Sequence, residues 1–126
     1  MEPEIISTDK APAAIGPYSQ AVKCGHVIYT SGAIPIDPTT GNVVAGGAAE
    51  QAEQAIKNLA EVLKEAGAGL GNVVKTTVFI KDMNDFAVIN EVYKNFFTDN
   101  YPARSCVEVA RLPKDVLIEI ECIAVL

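Results

Sequence analysis

Val116-Leu117-Ile118-Glu119-Ile120-Glu121-Cys122-Ile123-Ala124-Val125 brings the chain to its end on an alternating run. In a strand, Ile118, Ile120, Cys122 and Ala124 fall on one face and Glu119, Glu121, Ile123 and Val125 on the other. Both faces carry apolar residues, and the second also carries two carboxylates. Such a strand is expected to be covered on both faces, with the glutamates needing partners on theirs.

What covers each face follows from the rest of the chain. Ala48 to Ala66 places Ala52, Ile56, Leu59, Leu63 and Ala66 at steps of four, three, four and three, one face of a helix. Gly67 is a natural stop, because glycine takes the left-handed conformation without a Cβ penalty. Asp82 to Asp85 offers N-caps for a second helix lined by Phe86, Ile89, Tyr93 and Phe96. Strands are expected at Ile5-Ile6, Tyr18 to Lys23, Val27 to Ser31, Val73 to Ile80, Ser105 to Arg111 and Val116 to Val125, with Cys24-Gly25-His26 a hairpin turn. The order is β-β-β-α-β-α-β-β. Two helices cover only one face of a six-stranded sheet, which gives an α+β layer. The second face is then expected to be buried against other subunits, its polar groups lining pockets between them.

The 126 residues imply one domain, 1–126. Sixteen acidic against ten basic residues, with no Lys/Arg run, argue against a nucleic-acid partner. No apolar segment approaches the ~20 residues of a membrane span. The acidic start Met1-Glu2-Pro3-Glu4 has no apolar stretch of the signal-peptide kind. Cys24, Cys106 and Cys122 are too few and too scattered for a disulfide framework or a zinc site, and a reducing cytoplasm is expected.

Two charges stand out: Arg104 in Pro102-Ala103-Arg104-Ser105-Cys106-Val107-Glu108-Val109, and Glu119 fifteen residues on. Arginine grips carboxylate or phosphate in a fork, and glutamate steers water or a proton. If Leu112 to Asp115 is a four-residue hairpin loop, Arg111 lies opposite Val116 and Glu108 opposite Glu119. Arg104 and Cys106 then share the face of Glu119. Two readings stay open: a salt-bridge network at a subunit interface, or a small anion pocket. Cys106 has no evident histidine partner, since the single histidine, His26, falls in the expected turn. Gly67-Ala68-Gly69-Leu70-Gly71 ends a helix and so reads as a connection, not a nucleotide loop. Tyr18 and Ser31-Gly32 are weak candidates taken alone.

Over nearly its whole length the sequence resembles the reactive intermediate deaminases, the Rid or YjgF-like family. The resemblance rests on Ala14-Ile15-Gly16-Pro17-Tyr18-Ser19-Gln20, Thr30-Ser31-Gly32, Val74 to Phe79, Pro102 to Val109 with Leu112-Pro113, and Ile118-Glu119-Ile120. It implies a chorismate-mutase-like α+β fold, a six-stranded mixed sheet with both helices on one face, and a homotrimer with clefts between subunits. It also implies hydrolysis of 2-iminobutanoate and 2-iminopropanoate to 2-oxo acids and ammonia, with no cofactor and no metal. These imines arise from pyridoxal-phosphate-dependent dehydratases. By position, Arg104 would hold the substrate carboxylate with help from the Cys106 backbone N–H. Glu119 would position water and manage protons, and Tyr18, Ser31, Gly32 and Asn90 would line the cleft. The alternative class is a non-catalytic 2-oxo-acid-binding or chaperone-like stress protein. A ribonuclease is disfavoured by the acidic balance and the absence of a histidine pair.

Overall fold

The structure is a computed structural model that describes residues 2–126. Its elements run β1 (Glu4–Ile6), β2 (Ala21–Cys24), β3 (Val27–Thr30), α1 (Ala48–Glu65), β4 (Val73–Ile80), α2 (Phe86–Phe96), β5 (Ala103–Glu108) and β6 (Ile118–Val125). The six strands form one sheet in the order β1-β2-β3-β6-β4-β5. Among the described residues only the β4–β5 pair is parallel, so the sheet is mixed.

Local chemistry sets the helix limits. Glu50 Oε1 accepts the Gly47 N–H at 2.8 Å, satisfying a donor at the start of α1. At its end Gly67 has φ +84°, the Gly67 N–H reaches Lys64 O, and the Ala68 N–H reaches Leu63 O. Those two bonds are the Schellman arrangement that the glycine permits. Asp82 caps the turn before α2 by accepting the Asn84 N–H at 2.9 Å.

Both helices pack on one face. Ala52, Ile56, Leu59 and Leu63 from α1 meet Ile118, Ile120, Cys122 and Ala124 from β6 in a single core with Val78 and Ile80 of β4. A bulge at Val74 lets Val73 and Thr76 both point inward although they are three apart. Among the described residues, the opposite face has no helix. It exposes Ile5, Tyr29, Val107 and Val125, each 40% or more accessible, around the half-buried Ile123, Phe79, Glu119 and Glu121.

The expected hairpin between the last two strands does not exist. β4 lies between β5 and β6, pairing Thr76 with Arg104 on one side and with Cys122 on the other. Glu119 pairs with Phe79, and Glu108 pairs with Ile80. α2 serves as the crossover that sets β5 parallel beside β4, and the chain then returns past the end of β4. The return is anchored, not a free turn: Leu112 and Val116 are buried, and the Leu117 N–H bonds to Gln51 Oε1 at 2.7 Å. Lys114 and Asp115 both take positive φ, 56° and 55°, to make this corner.

The correction moves a side chain across the sheet. Through Thr76, Arg104 shares the face of the helices, as do Cys106 and Glu108. Through Phe79, Glu119 lies on the helix-free face.

Candidate active site

Arg104 is the second residue of β5, the edge strand of the sheet, and lies over α2. Phe86, Asn90 and Tyr93 stand at steps of four and three, so one stripe of that helix faces it. Arg104 donates from Nη1 to Asn90 Oδ1 at 2.7 Å. Its Cζ sits 4.8 Å from the Tyr93 ring centre and 5.5 Å from that of Phe86. Among the described residues Asn90 is the only hydrogen-bond partner found for the guanidinium. Its other N–H groups are left to a cleft of ≈ 400 Å³ lined by Asn90, Tyr93, Lys94, Tyr101, Pro102 and Arg104. A planar fork backed by aromatic faces and open on one side is suited to a carboxylate.

Glu119 belongs to a second cleft, of ≈ 500 Å³, together with Tyr18, Ser31 and Gly32 and walls that include Ile15 and Ile34. Ser31 is fixed by donating from Oγ to Ser19 O at 2.6 Å. Gly32 passes so close to Glu119 that a Cβ there would lie 2.6 Å from its Cδ and 2.8 Å from its Cγ, and in contact with Oε2. Glycine at 32 is therefore the space in which the carboxylate rests. Burial, and then repulsion from Glu121, hold the Glu119 carboxyl above the usual glutamate range. Such a group takes and returns protons closer to neutrality than an exposed glutamate.

Burial pushes the Cys106 thiol up, against the pull of Arg104, which makes it a poor nucleophile. Cys122 is pushed up to about 11 by burial and serves as core filling. His26 is exposed at the β2–β3 turn. Among the described residues no cluster of three or more metal-binding side chains occurs, and no helix is long and apolar enough to cross a membrane.

The structure thus divides the candidate residues. Arg104 and Asn90 line one cleft; Tyr18, Ser31, Gly32 and Glu119 line the other; Cys106 follows Arg104 on the helix face. In the sequence alone, Tyr93 and Phe86 read only as helix packing. Their spacing with Asn90 was the signal for a wall behind Arg104, but it becomes readable only once β5 is known to lie over α2.

The family described as Endoribonuclease L-PSP matches residues 8–126. The chain is 58% identical over 123 residues to the 2-iminobutanoate/2-iminopropanoate deaminase of Escherichia coli, covering 95% of each. It is 56% identical over 121 residues to the human protein of the same name, covering 96% of this chain and 88% of that one. Among solved structures, Escherichia coli TdcF with bound serine superposes with a TM-score of 0.94 at 52% identity, covering 98% of each chain.

Proposed function

The chain belongs to the endoribonuclease L-PSP family, and we propose that it hydrolyses 2-imino acids such as 2-iminobutanoate and 2-iminopropanoate to 2-oxo acids and ammonia. The observation that carries this reading is the Arg104 fork, braced by Asn90 and two aromatic rings and open to a cleft of small-molecule size. The names borne by relatives at 56–58% identity point the same way.

Arg104 and Glu119 lie on opposite faces of one sheet, so the two clefts work together only between copies. We assign the helix-free face, with its exposed Ile5, Tyr29, Val107 and Val125, to the contact that joins them in a homotrimer. The 126 residues then act as one domain in a cytoplasmic enzyme, which suits its three free thiols.

In the assembled site Arg104 of one copy binds the substrate carboxylate, with the Cys106 backbone N–H beside it and Asn90 steadying the fork. Tyr18, Ser31, Gly32 and Glu119 come from another copy. The imine carbon is already electrophilic, so the task is to aim one water at it. The substrate reacts as its protonated iminium. Ionised Glu119 takes one proton from water as the oxygen bonds to C2, and the C=N π pair moves to nitrogen, giving a neutral amine beside a C2 hydroxyl. Glu119 returns that proton to the nitrogen; the C–N bond breaks with its electron pair leaving on ammonia, the C2 hydroxyl gives its proton to Glu119 as the oxygen closes to a carbonyl, and Glu119 releases it to solvent.

The test is to generate 2-iminopropanoate and 2-iminobutanoate in situ and follow their decay with and without the protein. Faster release of 2-oxo acid supports the reading. Binding of 2-oxo acid without turnover would favour a sensor instead. The net charge of −6 and the exposed lone His26 speak against cleavage of RNA.

A further inference from the structure

Thr76 is fully buried in the centre of the sheet, and Tyr93 is 6% exposed on α2. Their hydroxyls are 2.9 Å apart. Valine and phenylalanine would fill the same two places with no polar atoms to satisfy. Either hydroxyl alone would be an orphan; together they are paired. The pair therefore does something that packing alone does not require.

Its position suggests what. Thr76 is the cross-strand neighbour of Arg104. The Tyr93 ring carries the Arg104 guanidinium 4.8 Å from its centre, and Phe97 stacks at 4.3 Å from the same ring. The ring is thus held by a neighbouring aromatic and tied at its hydroxyl to the strand beside Arg104. Arginine is among the side chains with most rotamer freedom to lose, so a fork not held beforehand is ordered only on binding.

We propose that Tyr93, pinned by Thr76, is a positioning residue for Arg104: the fixed ring sets the plane of the guanidinium before substrate arrives. The Asn90 bond fixes one nitrogen, and the ring fixes the plane, leaving the remaining N–H groups aimed into the cleft. Tyr93 touches no reacting atom; it acts through the clamp. Burial raises the phenol above its usual range, so the ring stays neutral at pH 7. The inference rests on the assignment of Arg104 as the carboxylate clamp.

The experiment compares wild type with Tyr93→Leu, Tyr93→Phe, Thr76→Val and the double variant Tyr93→Phe/Thr76→Val. Four quantities are read: kcat and KM for 2-iminobutanoate made in situ, Kd for 2-oxobutanoate, melting temperature, and the NMR signal of the Arg104 Nε–H. Loss of the ring in Tyr93→Leu is expected to raise KM and Kd roughly three- to tenfold, with kcat within about twofold. The double variant removes both hydroxyls and leaves no orphan. It is expected to recover the melting temperature lost in each single variant while KM stays raised about two- to threefold. A folded Tyr93→Leu protein with wild-type KM and Kd, or a loss confined to kcat, overturns the proposal. If Tyr93→Leu does not fold, the double variant decides, and a wild-type KM there overturns it. If wild type neither binds 2-oxobutanoate nor turns over the imine, the proposed function fails. The inference then stands on a sharp Arg104 Nε–H signal that broadens in the variants, and falls if it does not.

Discussion

Mixing two inactive variants should restore activity. Arg104 pairs in register with Thr76, whose side chain faces the helices, whereas Glu119 pairs with Phe79 on the bare face. A sheet one layer thick separates them, and no side-chain rotation brings them to one ligand. On the proposed reading, a working site takes Arg104 from one copy and Glu119 from another. Arg104→Ala chains still offer Glu119, and Glu119→Gln chains still offer Arg104. In oligomers scrambled from equal amounts, half the chains supply an intact arginine and half an intact glutamate, so about one quarter of the sites hold both. Removing the acid–base group Glu119 costs ~10²–10⁴-fold, and removing the Arg104 partner of the substrate carboxylate costs ~3 kcal/mol, about 10²-fold in kcat/KM, so each parent runs at ~1% of wild type or less. The mixture should therefore exceed either parent by at least ~25-fold. The assay is 2-oxobutanoate release after exchange in mild denaturant, with native mass spectrometry to confirm mixing. Fully mixed oligomers with only the mean activity of the parents would refute the division of the site between copies.

Gly32→Ala should act through its neighbour. The added Cβ would stand 2.6 Å from Glu119 Cδ, with Oε2 nearer still, where ordinary contact begins near 3.4 Å, forcing the carboxylate away by at least about 0.8 Å. Misplacement on that scale costs up to ~10²-fold, so kcat should fall steeply while the urea midpoint barely moves; wild-type kcat would sink the idea. Arg104→Lys keeps the charge but loses the fork and the aromatic backing, worth ~1.5–3 kcal/mol, so Kd for 2-oxobutanoate should rise ~10- to 150-fold by calorimetry. The acid limb of kcat/KM should lie above the ordinary glutamate value of 4.5, because Glu119 must be ionised to take a proton from water and its carboxyl is held high. The same raised value makes its ionisation unfavourable to the fold. Stability is then lost as pH rises through that value, and Glu119→Gln should remove this slope from urea midpoints measured between pH 4 and 8. A steeper slope in the variant would contradict it.

The helices were legible because their apolar residues repeat at helical spacing and their stops are local. Gly67 forms the expected Schellman end, and Asp82 caps the approach to α2. The division of the sheet into a helix-covered face and a bare one was also legible, from the alternation along Ile118 to Val125 and the count of two helices. The strand order was not. A short polar stretch, Leu112 to Asp115, between two strand-like runs carries the same local signals whether it turns a hairpin or crosses the end of a third strand. What decides is long-range: β4 can satisfy hydrogen bonds on both its edges while sending Thr76, Val78 and Ile80 into the core. That one topological fact carried Arg104 to the other face. It also concealed Tyr93 and Phe86, which look like ordinary helix packing until an arginine lies over them.

The insertion of β6 between β3 and β4 gives the fold its use. A central strand can bury one face in the core of its own chain and leave the other for a neighbour; β6 buries Ile118, Ile120, Cys122 and Ala124 and leaves Glu119, Glu121 and Ile123 half-buried. Glu119 on the helix-free face would be a poor choice for stability alone, since burial and then repulsion from Glu121 oppose its ionisation. A carboxyl held partly against its charge is what the proposed hydrolysis needs, because it must take a proton and then release it within one turnover. On the other edge, β5 keeps Arg104 away from those glutamates within its own chain. An arginine on the face of Glu119 would have formed an internal salt bridge, pulling the carboxyl down and occupying the fork. In the proposed trimer, keeping the two apart in each chain and joining them only between chains leaves Glu119 free to act as base and the clamp empty until substrate enters.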